Sequence, residues 1–440
     1  MTIARDHTLG IWMTSALVVG SMIGSGIFLL PVSLAPLGAN TLIGWTLSIF
    51  GALAIAYALA SLGRTGAGGI YAYVERAFGP TTAYLVTWSF WCSNIAAQAG
   101  LAIATASALS RLFPASGSAA GIVAVGIGSV VALTLVNLRG VRTSGGLSLL
   151  TVAIKLLPLL AVVVILAMRK SSGIPYELLA DSPLTLANIA TATALTLFAL
   201  TGFENATAPV DKVRDPARTI PRAILGGTAF VGLVYLVSSS GVLLLLPASQ
   251  IAASAAPYAD VIALQWNEQA ALLAAFAIAV SAFGGLNCMI LSTGELGYAM
   301  GLRGDLPAVM ARTGRENIPV AAHLVGGALT ILLTLANSTK ATANLFTFVI
   351  LLSTAAVLFV YAIGAFAAWK ENPAPASRLI FVGALLFILF AFYGAGLEAD
   401  LWFLLLLAIG VAVRVLVRRL GDNVGRQPGL RPDGGSHGSS

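Results

Sequence analysis

Two long apolar stretches of this chain are each interrupted near the middle by glycine and small polar residues, a pattern that few folds tolerate. The first reads Gly20-Ser21-Met22-Ile23-Gly24-Ser25-Gly26-Ile27-Phe28, inside an apolar run from about Ile11 to Val32. The second reads Phe198-Ala199-Leu200-Thr201-Gly202-Phe203-Glu204, inside a run from about Leu186 to Pro209. A helix in lipid keeps its backbone hydrogen bonds to itself, because lipid offers no substitute partner. Unwound turns at mid-membrane therefore free N–H and C=O groups that a small polar solute can engage. Two such breaks, five spans apart, point to a membrane carrier whose halves repeat with inverted topology.

The rest of the chain agrees with a membrane setting. Of its 440 residues, 58% are hydrophobic and only 9% charged, more apolar side chain than a soluble core absorbs. A spanning helix needs about 20 mostly apolar residues. By that measure about twelve segments begin near residues 11, 42, 81, 119, 147, 186, 223, 270, 319, 343, 378 and 400. The expected fold class is an all-α integral membrane protein with one transmembrane domain over residues 1–420. The Gly/Ser/Pro-rich stretch 421–440 is expected to be a disordered cytoplasmic tail.

The net charge of +7 reads as topology rather than as nucleic-acid affinity. With a cytoplasmic N-terminus, nineteen of the 24 Lys and Arg fall on the cytoplasmic side, and only Arg111, Arg169, Lys170 and Lys340 fall outside. That bias follows the positive-inside rule and places both termini in the cytoplasm. Lys155 is left within a span, roughly 13 Å deep at 1.5 Å per residue. An ammonium at that depth either snorkels toward the surface or serves as a proton carrier or a fixed substitute for a bound sodium ion. Glu204, just after the second break, reads as a gating or proton-linked carboxylate or as a structural acid bonded to loose amides.

Other polar residues carry less. Asn94 and Gln98 lie four apart on one helix face, and interhelical bonding accounts for them as well as substrate contact does. Glu295 is expected at the interface, holding a loop. Cys92 and Cys288 are expected as small buried hydrophobes rather than a disulfide. No His/Cys/carboxylate cluster has metal-ligand spacing, and Arg64-Thr-Gly-Ala-Gly-Gly lacks the Lys-Ser/Thr of a phosphate loop. Neither a cofactor nor an enzymatic reaction is therefore expected.

Taken together, Gly24-Ser25-Gly26-Ile27-Phe28 with Pro31, Gly66-Ala-Gly-Gly-Ile-Tyr-Ala-Tyr with Phe78-Gly79-Pro80, Gly202-Phe203-Glu204 and Asp215-Pro216-Ala-Arg-Thr-Ile220-Pro221 resemble the amino acid–polyamine–organocation superfamily. The chain is similar to the bacterial arginine/agmatine antiporter and to proton-coupled amino acid permeases, from about residue 8 to 420. The resemblance implies a LeuT-like 5+5 inverted repeat with discontinuous helices 1 and 6. Repeat one would cover about 8–168, repeat two about 186–370, and two extra helices 378–420. It implies an inner-membrane, sodium-independent transporter working by alternating access, whose partners are an amino acid or amine and the lipid bilayer, with no nucleic acid, as a monomer or homodimer.

Carried over by residue, the resemblance sets the substrate carboxylate on amides around Ser25 and Gly26, within a turn formed by Met22, Ile23 and Gly24. The substrate ammonium would meet carbonyls of Met22, Phe198 and Thr201, beside Gly202. Ser89, Phe90, Asn94, Ala97, Met289 and Ser353 would form the side-chain pocket. Phe198 would close over the substrate, Glu204 and Tyr361 would gate one side, and Lys155 would set coupling. Met289 stands where the arginine antiporter stacks a tryptophan on its guanidinium substrate, and Lys155 matches the lysine of proton-coupled and exchanger relatives. Both departures favour a neutral or broadly accepted amino acid, while Asn94, shared with the antiporter, favours a cationic one. The alternatives are an arginine/agmatine-type cationic amino acid or polyamine antiporter and, in other classes, an amino acid sensor or a channel.

Overall fold

A computed structural model describes residues 10–24, 26–62, 69–139, 144–204, 213, 215–314, 318–336, 342–371 and 374–425. Among the described residues the chain is helical, with no β-strand. The first break separates α1 (Ile11–Met22) from α2 (Gly26–Leu34), and α3 (Asn40–Leu62) follows. A short α4 (Gly69–Phe78) leads into α5 (Pro80–Leu112), α6 (Ala119–Asn137) and α7 (Ser144–Ser171). The second half runs α8 (Leu186–Leu200), α9 (Pro216–Leu245), the short α10 (Ala248–Ala253) and α11 (Pro257–Gln265), then α12 (Glu268–Leu302). It closes with α13 (Val320–Ala336), α14 (Thr342–Glu371), α15 (Pro375–Ala395) and α16 (Leu397–Gly425).

Eight of these helices are long and apolar enough to cross a membrane, and α1–α2, bent by 46° at its break, makes a ninth span. The shorter apolar helices α8 and α13 and the 28-residue α7 occupy the remaining three expected places. The chain is a multi-pass membrane protein. Helix α16 runs on to Gly425, past the expected start of the tail, because Asp422 and Asn423 sit beyond an unbroken apolar and basic helix that carries them along. Residues 426–440 lie outside the described residues.

Helix α5 is the axis of the scaffold. Its 33 residues span about 50 Å at 1.5 Å per residue, and it packs along both α12 and α14. In lipid, helices gain nothing hydrophobic by meeting, so small and polar side chains hold them together. Accordingly α5 buries Ser89, Ser93, Asn94 and Gln98 between its neighbours. Ser89 Oγ donates to the Ala356 carbonyl at 2.7 Å, and Ser93 and Ser353 each donate to the other's carbonyl at 2.9 and 3.0 Å. Gln98 Nε2 donates to Thr293 Oγ1 at 2.5 Å, and Thr330 Oγ1 donates to Gln98 Oε1 at 3.1 Å.

The last helix is tied to this axis at one end. Tyr84 Oη donates to the Gly410 carbonyl at 2.7 Å and Trp88 Nε1 to the Leu406 carbonyl at 2.8 Å. Arg414 Nε donates to Asp305 Oδ1 at 2.8 Å, its Nη2 reaches the Pro80 carbonyl at 3.1 Å, and its guanidinium lies 4.8 Å from the Tyr84 ring centre. Asp305 is 2% exposed and its second partner, the half-exposed Arg418, stands off at 3.4 Å, so removing Arg414 takes the short bond from a buried carboxylate. Arg414→Leu is therefore expected to destabilise the fold by about 3 kcal/mol. Asp305→Asn combined with Arg414→Leu should cost less than the two single changes added, a coupling that thermal unfolding in detergent measures.

Candidate functional site

The first break is a change of hydrogen-bond register. Ile23 N–H still donates to the Val19 carbonyl at 2.9 Å, but Gly24 N–H turns back to the Met22 carbonyl at 2.8 Å. With Ile23 at φ −75° and ψ 87°, this is an inverse γ-turn. The Gly20 carbonyl thereby loses the donor that a continuing helix would supply. Lys155 takes its place: Nζ reaches across from α7 to the Gly20 carbonyl at 3.1 Å. The Met22 carbonyl accepts a second bond from the fully buried Tyr235, at 3.1 Å.

The second break abuts the first. Helix α8 stops at Leu200, and Thr201 is extended (φ −67°, ψ 160°), with N–H and Oγ1 donating to the Phe198 carbonyl at 3.2 and 2.7 Å. Gly202 follows at φ +111°, a conformation open to glycine and strained for other residues. A Cβ there would also stand 2.7 Å from the Ser21 carbonyl oxygen, while Ser21 Oγ donates to the Gly202 carbonyl at 2.9 Å. The loosened Gly202 N–H donates to Glu204 Oε2 at 3.0 Å, and Tyr361 Oη donates to the same oxygen at 2.9 Å. The Tyr361 ring stacks on Phe203 with centres 5.5 Å apart.

Beside the two breaks lies a cavity of about 440 Å³. Of the residues expected to meet substrate, Met22, Gly24, Gly26, Ala97, Phe198, Thr201 and Met289 line it, and so does Lys155. The Phe198 ring rests on Gly26, where a Cβ would come within 2.6 Å of Cε1. From the breaks the cavity extends past Leu17 on α1 and along α12 to Leu291, Ser292 and Glu295.

The other expected residues sit elsewhere. Ile23 and Gly202 are buried behind the lining, and Ser25 lies outside the described residues. Ser89 and Ser353 bond α5 to α14 through backbone carbonyls, away from the cavity. Phe90 packs in a cluster with Val86 and Val360, and Asn94 Nδ2 donates to Ser292 Oγ at 3.3 Å. Glu204 and Tyr361 pair with each other outside the cavity lining and cap the second break. Two of the three carbonyls expected to meet an ammonium, those of Met22 and Phe198, already accept from protein donors.

Two residues depart from their sequence reading. Cys288, expected as a buried hydrophobe, is exposed and lines the cavity. Glu295, expected to hold a loop, lines the cavity as well. The missed signal is the stripe Gly285-Cys288-Met289-Ser292-Glu295 at spacings of three and four, which forms one face of α12.

The amino acid permease family matches residues 9–413 of the chain. The putrescine transporter PotE of Haemophilus influenzae is 26% identical over 416 residues, covering 91% of this chain and 94% of that protein. The cadaverine/lysine antiporter of Escherichia coli K12 is 31% identical over 350 residues, covering 76% of this chain and 77% of its own length. PotE of the same strain is 27% identical over 328 residues, 73% and 74% of the two chains.

The glycines of the two breaks differ in what they tolerate. Gly202→Ala should destabilise the protein by at least about 1–3 kcal/mol from backbone strain, before its collision with Ser21 is counted. Gly24→Ala would meet only Leu101 Cδ2 at 3.6 Å, an ordinary contact, and should leave the unfolding temperature nearly unchanged. Thermal unfolding of both variants in detergent separates them.

Proposed function

This chain belongs to the amino acid permease family, and from that premise we propose that it is a sodium-independent secondary transporter of amino acids or amines. It works by alternating access in a bacterial inner membrane, with both termini cytoplasmic. The observation that carries this reading is the meeting of the α1–α2 break and the end of α8 at one cavity, with the Lys155 ammonium bonded to a carbonyl that the first break orphaned; residues 205–212, where the second helix would resume, lie outside the described residues. The positive-inside bias puts the first half of α1 and the last turns of α12 toward the cytoplasm, so the cavity faces inward.

On this reading the substrate sits below Phe198, its carboxylate toward the N-terminus of α2, where first-turn N–H groups and the helix dipole favour an anion. The Phe198 ring on Gly26 shuts the outward path. Swinging α1–α2 and α8 against the α5 scaffold would open that path and close the cytoplasmic one. Lys155 acts where sodium-coupled relatives hold a cation, and its deprotonation, or simple exchange of solutes, sets the coupling. Glu204 holds the second break together through Gly202 and Tyr361, and opens with it.

The test is solute counterflow in liposomes, run across the amino acids, agmatine, putrescine and cadaverine. Saturable counterflow of at least one is expected, and its absence for all of them, or unitary ion currents in place of counterflow, would overturn the reading. Lys155→Ala should abolish accumulation driven by a pH gradient, while stranding the Gly20 carbonyl should cost about 1–3 kcal/mol of stability. Full pH-driven uptake by that variant would remove Lys155 from the mechanism. Amidating the substrate carboxylate should weaken competition strongly, and equal competition by free and amidated amino acids would argue against the α2 site.

A further inference from the structure

Glu295 is the one carboxylate on the cavity wall among the described residues, and among them it makes no hydrogen bond or ion pair. It occupies the last position of the cavity-facing stripe of α12, one turn beyond Ser292 and two beyond Cys288. Lys155, the other charged group of the wall, is buried and committed to the Gly20 carbonyl. Phe198 is the wall's single aromatic side chain among the described residues, and it lies at the opposite end, on Gly26. A cation entering this cavity thus meets one unengaged anion and, at that anion's end, no aromatic face.

We propose that Glu295 receives the distal ammonium of a cationic substrate, a basic amino acid or an alkyl diamine, and so determines selectivity for such substrates over neutral amino acids. This deepens the transporter reading above and rests on it. The dimensions agree. Gly285 faces Gly24 closely, its Cβ direction ending 3.6 Å from the Gly24 Cα, so that level marks the break. Glu295 lies ten residues further along α12, about 15 Å at 1.5 Å per residue. Helical side chains lean toward the N-terminus, which brings the Glu295 carboxylate back toward Ser292 and Met289 and shortens the gap. The remaining length suits the four methylenes of a lysine side chain, with its α-carbon groups at the break. The proposal resolves the opposing sequence cues: Met289 has lost the aromatic stacking partner, and a carboxylate farther down the same helix supplies cation recognition instead.

Two measurements on the full-length protein test it. In counterflow competition, wild type should prefer lysine or cadaverine to norleucine, which has lysine's chain length without the terminal nitrogen. Glu295→Gln should lose about tenfold or more in apparent affinity for lysine, with norleucine unchanged, and Glu295→Asp should restore part of the loss. Wild-type preference for norleucine, or an equal loss for both solutes in Glu295→Gln, would overturn the proposal while leaving the transporter reading intact. Absence of counterflow with every solute would instead overturn that reading.

The second measurement needs no substrate. Cys288 is exposed in the cavity and Cys92, the chain's other cysteine, is buried. The ratio of Cys288 labelling rates by a trimethylammonium methanethiosulfonate and its sulfonate counterpart should fall at least about threefold in Glu295→Gln. An unchanged ratio would show that Glu295 sets no field in the cavity and would overturn the proposal.

Discussion

A peptide group in the middle of a bilayer must find a partner in the protein, and the centre of this molecule is arranged around that demand. The first break orphans Gly20 and re-routes Gly24. The second turns Gly202 through a conformation that leaves its amide outside any helix. Each loosened group is caught from a distant part of the chain or by its own neighbour: Gly20 by Lys155, Met22 by Tyr235, Gly202 by Glu204 with Tyr361 behind it. The two breaks also catch each other through Ser21 and the Gly202 carbonyl. Lys155 and Glu204 each bond a backbone group that a break releases.

The same demand organises the scaffold by quieter means. Helix α5 carries Ser89, Ser93, Asn94 and Gln98 through the membrane, and each of these four is paired to α12, α13 or α14. Individually such bonds in a membrane are worth about 0.6 kcal/mol on average. Their number along one helix fixes the register of three neighbours. The Arg414–Asp305 pair performs the equivalent task for α16 with charge instead of dipoles.

Both breaks were legible in the sequence, the first from glycines and serines clustered inside an apolar run and the second from Thr201-Gly202 followed by the carboxylate of Glu204. The places of the twelve expected segments were legible too, because each is an apolar run, even where the helix formed, as in α8 and α13, is shorter than a full span. The partners of the breaks were less so. Tyr235 looks like any aromatic in an apolar helix until the fold places it against Met22. Ser89 and Ser353 resemble pocket residues because a small polar side chain facing a cavity and one facing a helix both lie on a buried stripe. Asn94 and Gln98 left that choice open for the same reason. Glu295 looks like a span-end residue in the sequence, whereas the cavity reaches down α12 to meet it.

The Met22 and Phe198 carbonyls each already hold protein donors, which would govern how a guest placed there as proposed is released. A guest whose nitrogen takes either oxygen displaces or crowds a resident hydroxyl or amide, so the exchange gains only the difference between two similar bonds. Binding of that kind would be shallow. A carrier that gripped its cargo with wholly unsatisfied oxygens would be slow to let go on the far side. One that trades bonds keeps residence short and turnover quick, with discrimination left to whatever the cargo's tail encounters.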